Sequence, residues 1–138
     1  MPPEHPALTA QHVLAHGGWH PRYTRVLAVA SDGGYGFALV DGNGDGAELE
    51  AECWIWDDGE WTGAGSSGAG PLTTLNALRA ADHAGNACYA FGSAPNRPTV
   101  TITFDGHPYQ IPVSQHGVWA FVKIHTDPHS HGLPALMA

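Results

Sequence analysis

The twelve residues from Asp41 to Glu52, DGNGDGAELEAE, put oxygen-bearing side chains where a calcium loop needs them. Asp41, Asn43 and Asp45 take the first, third and fifth positions, Gly46 the sixth and Glu52 the twelfth. In that loop an entering and an exiting helix hold the ends, so that the last Glu binds through both oxygens. Here the flanking residues alternate as strands do, and Glu48 stands at the eighth position, where an apolar residue is usual. A helix-flanked site is therefore not expected. Two readings stay open: a polar hairpin turn, or a looser calcium site in which Asp41, Asn43 and Asp45 are joined by Asp57 or Asp58 from the next turn.

A second group follows at once. Side chains of a strand point alternately to its two faces, so Glu48, Glu50, Glu52, Trp54 and Trp56 share one face, with Trp61 just beyond the next turn. Indoles exposed beside carboxylates offer contact area and a cation-attracting π face to a sugar or a basic partner. The alternative is that Trp54 and Trp56 lie in a second layer under the Gly-rich run that follows, with only the glutamates in water. Two carboxylates about 7 Å apart along a strand also fit the separation used in glycoside hydrolysis, but the same spacing recurs in ordinary strands and argues little.

Ten histidines is a high count for 138 residues. His12 and His16 would meet on one helix face with His20 near, although Val13 stands where a zinc protease carries its glutamate. His125, Asp127, His129 and His131 form another group near the C-terminal end. Imidazoles this close can chelate zinc, and the competing reading is a solvated terminus. Ser66 and Ser67 sit among glycines, but GSSGA is not a nucleophile elbow, and the run has no lysine of a phosphate loop.

The elements that would position these groups are strands. Asp-Gly pairs at 32–33, 41–42, 45–46, 58–59 and 105–106 each adjoin alternating or β-branched residues, the strongest short-range hairpin signal. Strands are expected over 22–31, 35–40, 47–56, 87–92, 99–104, 109–113 and 118–124. The first is apolar on both faces and reads as central; Pro112 marks 109–113 as an edge, because proline cannot donate to a ladder. Thr9 is placed to cap a short helix through His16, ended by Gly17-Gly18. The run Gly63–Pro71 carries no apolar side chain larger than Ala or Pro and predicts a loop or linker. Leu72, Leu75 and Leu78 predict a short helix, with Thr73 or Thr74 as cap. Pro128 and Pro134 predict a tail.

The expectation is one domain over 1–138. It comprises an arm with a short helix (1–20), a first set of strands (22–62), a Gly-rich loop with a possible helix (63–86), a second set of strands (87–125) and a tail (126–138). Its fold class is mainly β, an antiparallel β-sandwich or partly open barrel with at most one or two short helices.

Net charge is −8, and the unevenness says more than the total. Between Val26 and Leu78 there is no Lys or Arg, while Asp32, Asp41, Asp45, Glu48, Glu50, Glu52, Asp57, Asp58 and Glu60 all fall there. That field repels phosphate and attracts basic partners, so nucleic acid and anionic membrane surfaces are not expected as ligands. No leader or membrane span is read from the sequence, which leads to the expectation of a soluble, cytoplasmic protein with Cys53 and Cys88 as reduced, half-buried thiols; a disulfide is the alternative.

Several local patterns go together: Asp58-Gly59 with Trp61, the run Gly65-Ser66-Ser67-Gly68-Ala69-Gly70-Pro71, Tyr89 to Pro95 (YAFGSAP), and Pro112-Val113 with Gly117 to Val122 (GVWAFV). In this order they resemble a group of small, uncharacterised β-rich proteins from high-GC Gram-positive bacteria, over roughly residues 22–125. The resemblance implies a β fold with an immunoglobulin-like second half and carries no activity and no site residue.

The function expected is a non-enzymatic binding domain of regulatory, immunity or accessory type. Its surface of Glu48, Glu50, Glu52, Trp54, Trp56 and Trp61 would engage a protein or small ligand, with a basic partner favoured. No cofactor is expected. The alternative is a metal-binding protein or small metalloenzyme, using calcium at the Asp41–Asp45 turn or zinc at the histidines. An enzyme whose residues converge only in space is a third reading.

Overall fold

The computed structural model describes residues 6–44, 49–68, 76–82, 85–104, 106–125 and 135–136. Among the described residues one short helix, α1 (Ala10–His16), precedes ten strands: β1 (Arg25–Asp32), β2 (Tyr35–Asp41), β3 (Leu49–Asp57), β4 (Glu60–Gly68), β5 (Asn76–Asp82), β6 (Gly85–Ser93), β7 (Thr99–Phe104), β8 (His107–Pro112), β9 (Val118–His125) and β10 (Ala135–Leu136). The protein is mainly β, and every strand pairing among the described residues is antiparallel. The strands form sheets of order β1-β2-β3-β4, β5-β6-β9 and β10-β7-β8; none of them closes into a barrel among the described residues.

Turn chemistry sets the first sheet. Asp57 pairs with Glu60, leaving Asp58 and Gly59 as the two turn residues, at φ 52° and 84°. Positive φ at both positions matches the right-handed twist of the flanking strands, and an Asp-Gly pair supplies it at least cost. At the β1–β2 hairpin Asp32 pairs with Tyr35, so Gly33 and Gly34 make the turn.

Three apolar clusters hold the sheets together. Tyr35, Phe37 and Leu39 of β2 pack with Tyr89 and Phe91 of β6 and with Val118, Ala120 and Val122 of β9. The opposite faces of β6 and β9, carrying Cys88, Ala90, Trp119 and Phe121, pack on Val100, Ile102 and Phe104 of β7. The opposite face of β2, carrying Ala38 and Val40, packs with Trp54, Trp61, Leu8 and Val13. Strands β2 and β9 are thus covered on both faces, as their unbroken apolar runs require.

Several expectations are corrected. Residues 25–32 form the end strand of their sheet, and the strand buried throughout is β2, whose seven residues are all buried. The end strand keeps contact inward instead: a bulge between Val26 and Ala28 turns the Leu27 carbonyl toward the Ser114 hydroxyl, which donates to it at 2.6 Å. Within the glycine-rich run, residues 63–68 are no linker, since they continue a strand that starts at Glu60 and pairs with β3; 69–71 lie outside the described residues. A ladder uses backbone groups alone, so a strand edge can be completed by residues that bring no side chain. The helix expected from Leu72, Leu75 and Leu78 is replaced over 76–82 by β5, paired with β6; its proposed cap at Thr73 or Thr74 lies outside the described residues. The tail is not entirely free, because Ala135 and Leu136 pair with Thr103 and Ile102. Cys88 is fully buried rather than half-buried; it and Cys53 are separate thiols in different clusters. The Thr9 cap and the edge position of residues 107–112 stand as read, as does two-sided cover over 118–122, while the Ile124 side chain lies outside the described residues.

Entry into β9 depends on one glycine. Gly117 has φ +73°, and a Cβ there would come within 2.8 Å of the Pro95 Cα, while its carbonyl accepts from the Ala94 amide at 2.8 Å. Gly117→Ala is expected to cost about 2–4 kcal/mol, from left-handed backbone strain and the clash together. Urea unfolding at fixed pH checks this, and a loss within about 0.5 kcal/mol, the range of an ordinary surface change, contradicts it.

Candidate functional site

The face of β3 that carries Glu50, Glu52, Trp54 and Trp56 lies beside Val40, Ala38 and Gly36 of β2 on one side. On the other side its cross-strand partners in β4 are Trp61, opposite Trp56, Gly63, opposite Trp54, and Ser66, opposite Glu52. Cross-strand partners share a face, so Trp54, Trp56 and Trp61 make one end of this surface indole, and past Trp61 the β4 side is nearly bare backbone.

The middle of this face, Glu52, Trp54 and Trp61, is covered. Residues 6–19 run across it as a strap. Thr9 caps α1 by accepting from the His12 amide at 3.1 Å, and Leu8, just before the cap, joins Val13 four positions into the helix in one apolar cluster. That pair is a hydrophobic staple, which fixes the angle at which the chain enters the helix. Four hydrogen bonds tie the strap down. The Leu8 amide donates to Ser31 Oγ at 3.2 Å, and Trp61 Nε1 donates to the Pro6 carbonyl at 2.9 Å. His12 Nε2 donates to the Trp61 carbonyl at 2.9 Å, and Trp19 Nε1 donates to Glu52 Oε2 at 2.8 Å. The His12 ring also meets Trp54 edge-on, with centroids 5.6 Å apart.

Glu52 is the chemical centre. It is only 7% exposed, with Trp19 on one oxygen and Trp54 Nε1 donating to the other at 3.3 Å. It forms part of a cleft of about 320 Å³ whose other lining residues are His16, Gly17, Trp54, Gly63, Gly65 and Ser66. Burial pushes its carboxyl above the ordinary value of 4.5; the Trp19 and Trp54 N–H groups pull it back, and the charge of Glu50 adds to the rise.

The native state therefore holds this proton to higher pH than the unfolded chain does. Stability from the group is complete below about 4.5 and is lost as pH rises through the elevated native value. The expected result is that wild-type stability, measured against Glu52→Gln by urea unfolding at a series of pH values, falls across that window. A difference independent of pH would show an unperturbed carboxyl.

The residues expected to form a partner surface separate here. Trp54 and Trp61 are 2% and 4% exposed, Trp56 and Glu50 are half-buried, and Glu48 lies outside the described residues. Of the two arrangements left open for Trp54, the buried one holds, but the cover is the strap and not the Gly-rich run. Residues 63–68 of that run belong instead to β4, one wall of the cleft. Trp19 and Gly63 are not among the residues the sequence singles out, while His16, read as a zinc ligand, and Ser66, read as part of a glycine loop, both line the cleft. The signal for the cleft was the Leu8–Thr9–Val13 staple, which announces a helix with an apolar face needing a floor.

The two turns of the looser calcium site do not come together. Asp41 pairs with Leu49 and Asp57 with Glu60, so the two turns lie at opposite ends of the nine residues of β3, roughly 25 Å apart. Asp41 is buried and accepts from the Gly44 amide at 3.0 Å, which closes its own turn; Asp45 is outside the described residues. Of the histidines, His12 and His16 do meet, with ring centroids 4.4 Å apart. His20 packs on Tyr23 and accepts from the Arg22 amide instead. Among the described residues no group of three metal-ligating side chains forms, and Asp127, His129 and His131, with the His125 side chain, lie outside them.

No helix among the described residues is long and apolar enough to cross a membrane. Comparison with protein-family models, with curated proteins and with solved structures gives no match.

Proposed function

We propose that this chain is a small, non-enzymatic binding domain that receives its ligand or partner in the Glu52 cleft, between the helical strap and β4. The observation that carries this reading is a carboxylate withdrawn from water yet lining a cavity, with each oxygen held by a fixed indole donor. Such an arrangement orients a recognition group. The acidic character of the region favours a basic partner, as the charge distribution of the sequence does. The layered packing of the three clusters supports a sandwich-type scaffold for it.

The test is a thermal-shift screen of wild type and Glu52→Gln against basic, neutral and acidic small solutes, since a ligand that binds only the native state raises its stability. Solutes that stabilise wild type and lose that effect in Glu52→Gln support the reading. If every stabilising solute acts equally on both proteins, the cleft is not the site.

One observation favours a second reading as a metal-binding protein, the His12–His16 pair on one face of α1. Elemental mass spectrometry of tag-free protein should then find stoichiometric zinc that is absent from His16→Ala; metal-free wild type removes this reading in its tight-binding form.

A further inference from the structure

The ligand class follows from what Glu52 lacks. A carboxylate offers about four lone-pair sites, and the indoles of Trp19 and Trp54 occupy two, one on each oxygen. Both donors are neutral. Among the described residues no Lys or Arg is paired with Glu52; the ion pair found there, Lys123 with Asp32 at 3.8 Å, joins β9 to β1. A charge taken out of water is costly unless an opposite charge accompanies it.

The groups around the cleft sharpen this. Glu50, two residues along on the same face of β3, adds negative potential, and from α1 the facing titratable group is His16, with the His12 ring tilted against it at 4.4 Å. Trp54 and His16 supply aromatic walls, and Gly63 supplies a wall with no side chain, where a Cβ would have no atom within 4 Å. The volume, about 320 Å³, is at the lower end of the roughly 300–1,000 Å³ of ligand pockets, which suits a head group rather than a large molecule.

We propose that this cleft takes an N–H-bearing organic cation, an alkylammonium or guanidinium head group, which donates to the lone pairs of Glu52 that the two indoles leave open. This rests on the reading that the cleft is the binding site. The cation supplies the missing opposite charge, its N–H groups complete the acceptor set, and the aromatic walls face its carbon-bound edge.

The test follows the indole Nε1–H resonances of Trp19 and Trp54 in ¹H–¹⁵N spectra during titration with methylguanidinium, methylammonium, N-methylurea and acetate. N-methylurea matches methylguanidinium in shape and N–H donors but carries no charge. Saturable shifts of both resonances with the two cations, and none with N-methylurea or acetate, are expected. Glu52→Gln should weaken methylguanidinium at least about tenfold, the loss typical of a charge-assisted hydrogen bond. Gly63→Val, which narrows the cleft from β4 and leaves the carboxylate in place, should weaken it too; this second variant guards against a fold change in the first.

Equal binding of N-methylurea and methylguanidinium overturns the cation class and leaves the cleft as a neutral-ligand site. No movement of either indole resonance with any probe overturns the cleft as a site altogether. Acetyl-Gly-Arg-Gly-amide separates the two sources of the head group. Saturation below the methylguanidinium concentration supports an arginine side chain of a polypeptide, and exclusion alongside methylguanidinium binding supports a free amine.

Discussion

Phe37→Ala is expected to remove about 3–5 kcal/mol of stability, the range for truncating a fully buried aromatic side chain. Phe37 has no exposed surface, and its ring lies 5.4 Å from that of Phe91 at 20° and 5.5 Å from that of Tyr89 at 34°. It is the point at which β2 meets β6, so its loss empties the contact between two sheets rather than one strand's share of it. Domains of this size have a total of roughly 5–15 kcal/mol, and the variant should be marginal at room temperature. Urea unfolding followed by near-ultraviolet circular dichroism measures the change. Phe37→Leu, which keeps most of the volume, should lose far less. A loss under about 1 kcal/mol for the alanine variant would mean that the two sheets do not rest on this ring.

Trp54→Ala is expected to cost a similar 3–5 kcal/mol and to loosen the strap as well. The indole is 2% exposed, packs in the cluster of Leu8 and Val13, and supplies one of the two donors to Glu52. Removing it takes away a large part of the floor under α1, which Trp61, Ala38 and Val40 share, and leaves the carboxylate with Trp19 alone. Limited proteolysis should then cut within residues 6–19 well before the rest of the chain unfolds. The same substitution separates the two arrangements the sequence leaves open, because a solvent-facing tryptophan would change stability by no more than about 0.5 kcal/mol.

Where local chemistry decides an element, the sequence was readable. Asp58-Gly59 makes the two-residue turn its residues demand, Thr9 caps its helix, and the alternation of Val100, Ile102 and Phe104 against threonines gives a strand buried on one face. The failures share a cause. Residues 63–68 carry nothing that can alternate, so their strand exists only because β3 has an edge to satisfy, and no local pattern records that need. Leucines spaced by three looked helical at 72–78, where pairing with β6 prevails over 76–82. Likewise β3 shows alternation but not what covers it. Trp19 reaches Glu52 across 33 positions and Pro6 reaches Trp61 across 55, and such contacts come from the assembled fold. The carboxylate was therefore identified by type and misjudged by surroundings: expected in water, it sits beneath two indoles.

The makeup of β4 has a dynamic consequence. From Gly63 to Gly68 the strand is Gly, Ala and Ser, lies at the end of its sheet and is held there by backbone bonds with scarcely any apolar side-chain contact. Its detachment exposes little apolar surface, so it needs far less free energy than global unfolding. Native-state hydrogen exchange should accordingly find the β3–β4 ladder amides beyond Gly63 opening as a separate low-energy unit, while those of β2 and β9 exchange only with the whole molecule. Trp61, anchored at 4% exposure, should hold the start of the strand closed. The wall of the Glu52 cleft would then breathe from one end, with Trp61 as its fixed hinge.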